Sequence, residues 1–572
     1  MKTVKAIVVA LVMACFDGSA FAIGLPAPDA TGKIVLDVAN GQYAATDNVT
    51  CTQVVFSANN ISLDLSAGGG KTISIPSTVS SDGFAFSARY YEASVAGGIW
   101  DFGGSANLRV GSSHHDHAIA FNGTKVRNVN SVTIGDNYRN CSLTLTSGAE
   151  LAATSMRIAN GGNGGVCTFE ILDGATATIS DNFIPDEGIS NYGSSLLKID
   201  GTGSSLSVPN KGIVMGAGRS HNRMTVTDKG SASMQSLAIG GVYTKNGSTN
   251  YATDTVLTVD DATLTTAGNL TVGSGGAFGN RAEFTNATLS VKSIVVGSGA
   301  NSTNNTLVLA GSTTLTQATP GDDPFFFGAA GENEVILTDG FQYEFTNKGD
   351  DLMKASSNNV VRIRNGAKVT KSTICYYGTR AASSHDNTYS VEAGGTSVLY
   401  RVNFGGARNR IVITDGVFEL TRNNTGALAL GCDTTDTSAN PTVGCELVLR
   451  GTRPQYTTQG AGQTLVYGGG RGALRFELPA AALETVPMDC GILTVQEGAA
   501  IHVKCGDYLS YVGDERARVV LARASTAANL TVPQSVLDAT NAELPDRCKL
   551  VKEGNDLVLK VRGNKGLVLS YR

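Results

Sequence analysis

The chain has 572 residues, a formal net charge of −5, and only 16% charged residues. That balance supplies no basic face for nucleic acid and implies no affinity for acidic substrates. With 69 glycines, one tryptophan and abundant Thr, Ser, Asn, Val and Leu, the composition disfavours helices and provides short strands and tight turns.

At the N-terminus, Lys2 and Lys5 precede an apolar run from Ala6 to Ala14, followed by Ala20-Phe21-Ala22. A basic start, a short apolar run and a small-x-small site have the grammar of a secretory signal peptide over residues 1–22. The run is too short to span a bilayer, and no later stretch reaches the roughly 20 apolar residues a membrane helix needs. The expectation is a Sec-type exported protein, secreted or at the cell surface, with no transmembrane segment in the mature chain. Removing Cys15 leaves nine of the ten cysteines, an odd number in a compartment where disulfides form.

Residues 23–100 hold short alternating strands such as Ile61-Ser62-Leu63 and Ile73-Ser74-Ile75, read as N-terminal coils that cover the first edge. Over 101–470 a repeat emerges, in which an apolar residue precedes Gly at the end of a strand. It occurs at Val110-Gly111, Ile134-Gly135, Met215-Gly216, Ile239-Gly240, Val272-Gly273, Val296-Gly297, Phe327-Gly328, Tyr377-Gly378, Phe404-Gly405 and Leu430-Gly431. A mean spacing of about 28 residues fits one coil of a solenoid, with insertions in loops. A second strand follows, then a turn such as Asn365-Gly366 or Asp415-Gly416, then a third strand. Asp-Gly and Asn-Gly ordinarily mark hairpins, but recurrence at one offset per coil suits a solenoid corner better than an antiparallel sandwich.

The most informative column lies just before the second strand: Asn222, Asn280, Asn305, Asn333, Asn359, Asn387 and Asn409. His117, Cys141, Cys167, Thr255 and Cys445 fill the same place elsewhere. Asn tolerates left-handed backbone, and amides stacked at about 4.8 Å can bond as a ladder. The reading is an all-β parallel β-helix of about 13 or more coils, so a rod on the order of 60 Å. Residues 471–572, with longer-spaced strands such as Ile501-His502-Val503 and Leu557-Val558-Leu559, form a β-rich C-terminal cap.

Several constellations invite chemistry. His114, His115, Asp116 and His117 combine imidazole with carboxylate, as zinc or nickel requires. Yet His117 falls in the Asn column, and His221 and His385 occupy the same coil position, so a loop-and-ladder role covers all three. Gly161 to Gly165 matches a calcium nonapeptide except that Val166 stands where the ligand Asp belongs. The pairs Asp260-Asp261, Asp322-Asp323 and Asp350-Asp351 lie in turns or loops. They lack the companions a polygalacturonase resemblance would require, and Arg450-Gly451-Thr452-Arg453 is a weak echo of a lyase motif. No catalytic residue and no cofactor is assigned. Cys141 and Cys167 sit in adjacent coils within disulfide range, or stand as thiols in the ladder. Cys432 and Cys445 bracket a polar insertion and are expected to close it; Cys490 and Cys505 could pair in the cap.

The steps Leu270-Thr271-Val272-Gly273 and Gly148-Ala149-Glu150-Leu151, with the Asn-x-apolar-x-apolar starts, resemble the passenger-type β-strand repeats of bacterial autotransporters over roughly residues 100–470. An autotransporter ends in a membrane barrel of around a dozen strands, and the final stretch of this chain supplies none. The resemblance therefore implies a passenger-like rod alone. The functional expectation is a non-catalytic structural or adhesive protein, with extracellular glycans or cell-surface components as partners. The alternative is a carbohydrate-active β-helix enzyme or glycan binder. Tyr376, Tyr377, Tyr389 and Tyr400 would be its aromatic platform if they are exposed together.

Overall fold

The computed structural model describes residues 22–563, apart from 88–89, 112–114, 137, 160–164, 185–193, 219, 246–247, 318–324, 346–355, 378–383 and 433–441. The signal segment 1–21, His114, Gly161 to Gly164, Asp322-Asp323 and Asp350-Asp351 lie outside the described residues. The chain divides into two compact units, Met1–Asn210 and Lys211–Arg572. Together they carry about 15 turns of parallel β-solenoid and a mixed C-terminal sheet.

In the first unit, coiling is already established in the residues read as an N-terminal cap. Lys33–Leu36 pairs in parallel with Gln53–Phe56, and that strand with Phe84–Phe86. Gln42–Ala44, Ile61–Asp64, Glu92–Ala96, Ala118–Asn122 and Ser142–Thr146 stack in parallel register on another side. Period-two alternation sends every second side chain inward. The only tryptophan, Trp100, is fully buried with its ring 6.1 Å from Phe84, 5.6 Å from Phe102 and 6.0 Å from Phe121.

In the second unit a coil has three short strands. In one, Val256–Asp260 is followed by Thr263–Thr266 and Leu270–Ser274; the next runs Arg281–Thr285, Thr288–Val291 and Ile294–Ser298. Each strand pairs in parallel with its counterpart one coil on. Leu257, Val259, Ala282, Phe284, Leu307 and Leu309 alternate inward and are wholly buried. The corner between first and second strands turns through left-handed residues, as at Asp339 (φ 52) with Gly340 (φ 84) and Asn365 (φ 51) with Gly366 (φ 82). The strands on either side of these Asp-Gly and Asn-Gly turns pair with other coils rather than with each other, so the hairpin reading does not apply. One antiparallel hairpin interrupts the coils, where Leu237–Lys245 pairs with Ser248–Tyr251.

Parallel pairing does not stop near residue 471. Gly472–Glu477 pairs in parallel with Cys445–Arg450 and with Ala500–Lys504. Among the described residues after 471, antiparallel pairing joins Ala517–Ala524, Cys548–Glu553 and Asp556–Val561. The cap also contains two helices, Gly506–Val512 and Gln534–Glu543, where the sequence reading expects strands and linkers. The second covers the last coil: Thr540 Oγ1 donates to the carbonyl of Ile501 at 2.9 Å, and Val536 and Leu537 are buried. A helix and an antiparallel sheet thus occupy an edge that would otherwise expose unpaired backbone.

Candidate functional site

Variable loops recur between the third strand of one coil and the first strand of the next, and that edge is anchored by the Asn column. The column residues are 0–1% exposed from Asn222 to Asn409. Their geometry is a one-way relay. The backbone N–H of one column residue donates to the Oδ1 of the Asn in the next coil. The donor–acceptor distances are 3.1 Å for Thr255 to Asn280, 3.1 Å for Asn280 to Asn305 and 3.0 Å for Asn305 to Asn333. The relay continues at 2.8 Å from Asn333 to Asn359, 2.9 Å from Asn359 to Asn387 and 2.8 Å from Asn387 to Asn409. Side-chain amides add Nδ2 bonds from Asn280 to Asn305 (3.0 Å), Asn305 to Asn333 (3.0 Å) and Asn387 to Asn409 (3.2 Å).

Two features differ from the expectation. The left-handed residue is not the column Asn but the one before it: His221, Asp254, Gly279, Asn304, Glu332, Asn358, Asp386 and Arg408 all have φ between 54 and 67. The column Asn is selected instead for its carbonyl acceptor, which a buried main-chain N–H requires. The strand-end glycines are the other half of the device. A Cβ on Gly273 would lie 2.2 Å from Asn305 Nδ2, and one on Gly240 2.3 Å from Asn280 Nδ2. On Gly111 and Gly135 it would meet the sulfurs of Cys141 and Cys167.

This edge disperses the metal candidates. His117 is buried with its ring 4.4 Å from Phe86, whereas His115 accepts from the Arg139 N–H at 3.0 Å. Asp116 accepts from Asn140 Nδ2 at 2.7 Å. Among the described residues, no group of three or more His, Cys, Asp or Glu is placed to hold a metal ion. His385 and Arg408 both bond Asp386, at 2.9 and 2.5 Å. The Arg408 guanidinium, helped by His385, holds the Asp386 carboxyl down at about 2.

All nine described cysteines are buried, and the surroundings of each sulfur differ from pair to pair. Cys141 and Cys167 direct their sulfurs to the carbonyls of Arg139 (3.4 Å) and Tyr138 (3.5 Å). The Cys445 sulfur bonds the carbonyl of Gly406 at 3.3 Å. Cys490 faces the carbonyl of Arg523 at 3.6 Å, while the Cys505 sulfur lies 3.8 Å from that of Cys548.

The tyrosine platform is also corrected. Tyr377 and Tyr389 are buried and stacked at 5.1 Å inside the coils, and burial pushes the Tyr377 hydroxyl well above its ordinary range. Tyr400 is half-buried beneath Arg422. Asp260 and Asp261 are exposed corner residues, and Arg450 and Arg453 make surface contacts to Thr414 and Glu484. On the outer face of the first strands, charges alternate instead of converging: Arg362 bridges Glu334 (2.5 Å) and Glu392 (2.7 Å). Glu446 lies between Arg410 (3.1 Å) and Arg475 (2.7 Å).

What the sequence reading missed is an aromatic pair on the loop edge of the second unit. Tyr251 and Phe278 are 42% and 45% exposed, and Val242, opposite Tyr251 in the hairpin, is 36% exposed. A parallel bridge aligns Thr253 with Phe278, and the inward Ala252 and Ala277 are wholly buried, so Tyr251, Thr253 and Phe278 share the outward face. The floor is glycine: Tyr251 Cε1 would be 2.7 Å from a Cβ on Gly276, and Val242 Cγ1 2.7 Å from one on Gly275. Exposed Asp254, which follows Thr253, and His221 of the preceding coil, 3.6 Å apart, supply polar groups. Two rings and a methyl pair on one outward face, with donors and acceptors from adjacent coils, can stack on an apolar face and hydrogen-bond its rim.

No family model matches this chain, nor does any curated protein or solved structure.

Proposed function

We propose that this chain is a non-catalytic, passenger-like adhesive β-solenoid of the cell exterior, and that the Tyr251–Phe278 surface is where it contacts extracellular glycan. The observation that carries this reading is the exposure of two aromatic rings, Tyr251 and Phe278, on one outward face of neighbouring coils, Tyr251 lying over Gly276. Sugar rings present C–H faces that stack on aromatic π-faces, with hydroxyls that reach flanking polar groups such as Asp254 and His221. The ladder beneath gives the surface a fixed geometry, which lowers the ordering cost of binding. Export through the N-terminal segment would bring it to such ligands.

The test is a panel of immobilised polysaccharides challenged with the purified protein, scoring retention and the release of reducing or unsaturated ends. Retention on at least one polysaccharide without release is the expected result. Release of ends would contradict the non-catalytic reading, and failure to be retained on any would contradict glycan adhesion.

A further inference from the structure

We infer that Cys505 and Cys548 are a disulfide-forming pair that staples the C-terminal cap to the last coil. Their sulfurs are 3.8 Å apart, and the residues are 3% and 7% exposed. The Cys505 sulfur directs its hydrogen bond to that of Cys548, and neither residue belongs to the buried corner column in which Cys141, Cys167 and Cys445 stand. A disulfide bond is about 2.05 Å long, so the sulfurs must close by roughly 1.7 Å, a distance that side-chain rotation supplies.

The position of the pair gives the bond a purpose. Cys505 follows the strand Ala500–Lys504, which pairs in parallel with Gly472–Glu477, and it precedes the helix Gly506–Val512. Cys548 opens Cys548–Glu553, which pairs antiparallel with Asp556–Val561; that strand pairs in turn with Ala517–Ala524. The bond would close a loop holding both cap helices and the strand Ala517–Ala524. In a repeat protein each coil is held mainly by its neighbours, so unfolding starts most easily at an end. A cross-link there constrains the terminal segment whose detachment would expose the last coil.

The chemistry balances with a small-molecule disulfide such as oxidised glutathione. One cysteine thiolate attacks a glutathione sulfur, forming a mixed disulfide and releasing one glutathione. The second cysteine then displaces the other. The protein loses two electrons and two protons, and the oxidant becomes two thiols. Burial raises both thiols, Cys548 to about 12, which disfavours the attacking thiolate once the cap is packed. An oxidising compartment is what the export reading provides. The test below supplies its own oxidant, so failure of one is distinguishable from failure of the other.

The full chain is refolded with oxidised glutathione, denatured, alkylated, digested and mapped by mass spectrometry. The expected result is a Cys505–Cys548 cross-linked peptide, with a Tm higher by roughly 2–4 °C than in the reduced protein. Cys505→Ser and Cys548→Ser should each abolish both the peptide and the shift, while Cys490→Ser should retain both. Alkylation of both Cys505 and Cys548 after oxidative refolding, or a Cys490–Cys505 cross-link, would overturn the inference.

Discussion

Replacing Gly273 with Ala should damage the solenoid through Asn305, and the damage should shrink when Asn305 is also replaced. Gly273 is left-handed at φ 77, where an Ala costs roughly 1–2 kcal/mol from handedness alone. The three atoms nearest its added Cβ, at 2.2, 2.3 and 2.5 Å, all belong to the Asn305 side chain, so a further steric cost falls on one neighbour. Asn305→Ala alone orphans two buried donors, the Asn280 N–H at 3.1 Å and the Asn280 Nδ2 at 3.0 Å. At about 1–3 kcal/mol for each unsatisfied group, the loss should be roughly 2–6 kcal/mol. In the double variant the clash is gone but the orphaned donors remain. The combined loss should therefore fall short of the sum by at least about 1 kcal/mol. Urea unfolding followed by circular dichroism measures the cycle, and hydrogen exchange at the Asn280 amide gives a local readout that should lose protection in Asn305→Ala. Additivity within about 0.5 kcal/mol, or an unchanged Asn280 amide, would refute the interlocking of the two columns.

Glu446→Ala leaves Arg410 and Arg475 facing each other without their shared carboxylate, and should cost about 1–2 kcal/mol at low salt. Repeating the urea titration in 1 M salt should shrink that cost; an unchanged cost would show that charge is not its origin. The Asp386 carboxyl, held at about 2 by Arg408, is depressed below its unfolded value near 3.9. Its stabilisation is therefore complete above about pH 4 and lost as pH falls through about 2. The Tm gap between the wild type and Asp386→Asn should narrow over that window, and a gap that widens on acidification would contradict the ion pair. Thr540→Val removes a hydroxyl buried against the Ile501 carbonyl, so it should loosen the cap by roughly 1 kcal/mol. Faster exchange of amides in Ala500–Lys504 would report that loosening, and unchanged exchange would show that the helix is held elsewhere.

The coils were legible because a buried polar residue recurring before an apolar alternation has few explanations other than stacked corners. The pairing of Gly with Asn was not. Gly111 lies six residues before His117 in sequence, but in space it touches Cys141 of the next coil, and a linear reading associates it with the wrong partner. Left-handedness was assigned to the Asn because Asn tolerates it; the preceding position carries it with His221, Glu332 and Arg408, residues that advertise no such preference. Gln534–Glu543 did carry a signal, with Pro533 before it and Val536, Leu537 and Thr540 buried at helical spacing, yet the surrounding strand pattern masked it. Tyr377 and Tyr389 were candidates by proximity, but strand parity turns both inward. Tyr251 and Phe278 carry no signal in the linear sequence because the hairpin between Leu237 and Tyr251 breaks the period that would align them.

The adhesive reading rests on those two rings, and the most direct measurement compares the wild type with a Tyr251→Ala, Phe278→Ala double variant on the polysaccharide that retains the wild type best. Both positions are exposed, so stability should change by less than about 0.5 kcal/mol for each substitution. The account predicts that the folded variant loses retention at least tenfold. Undiminished retention by the double variant would contradict it.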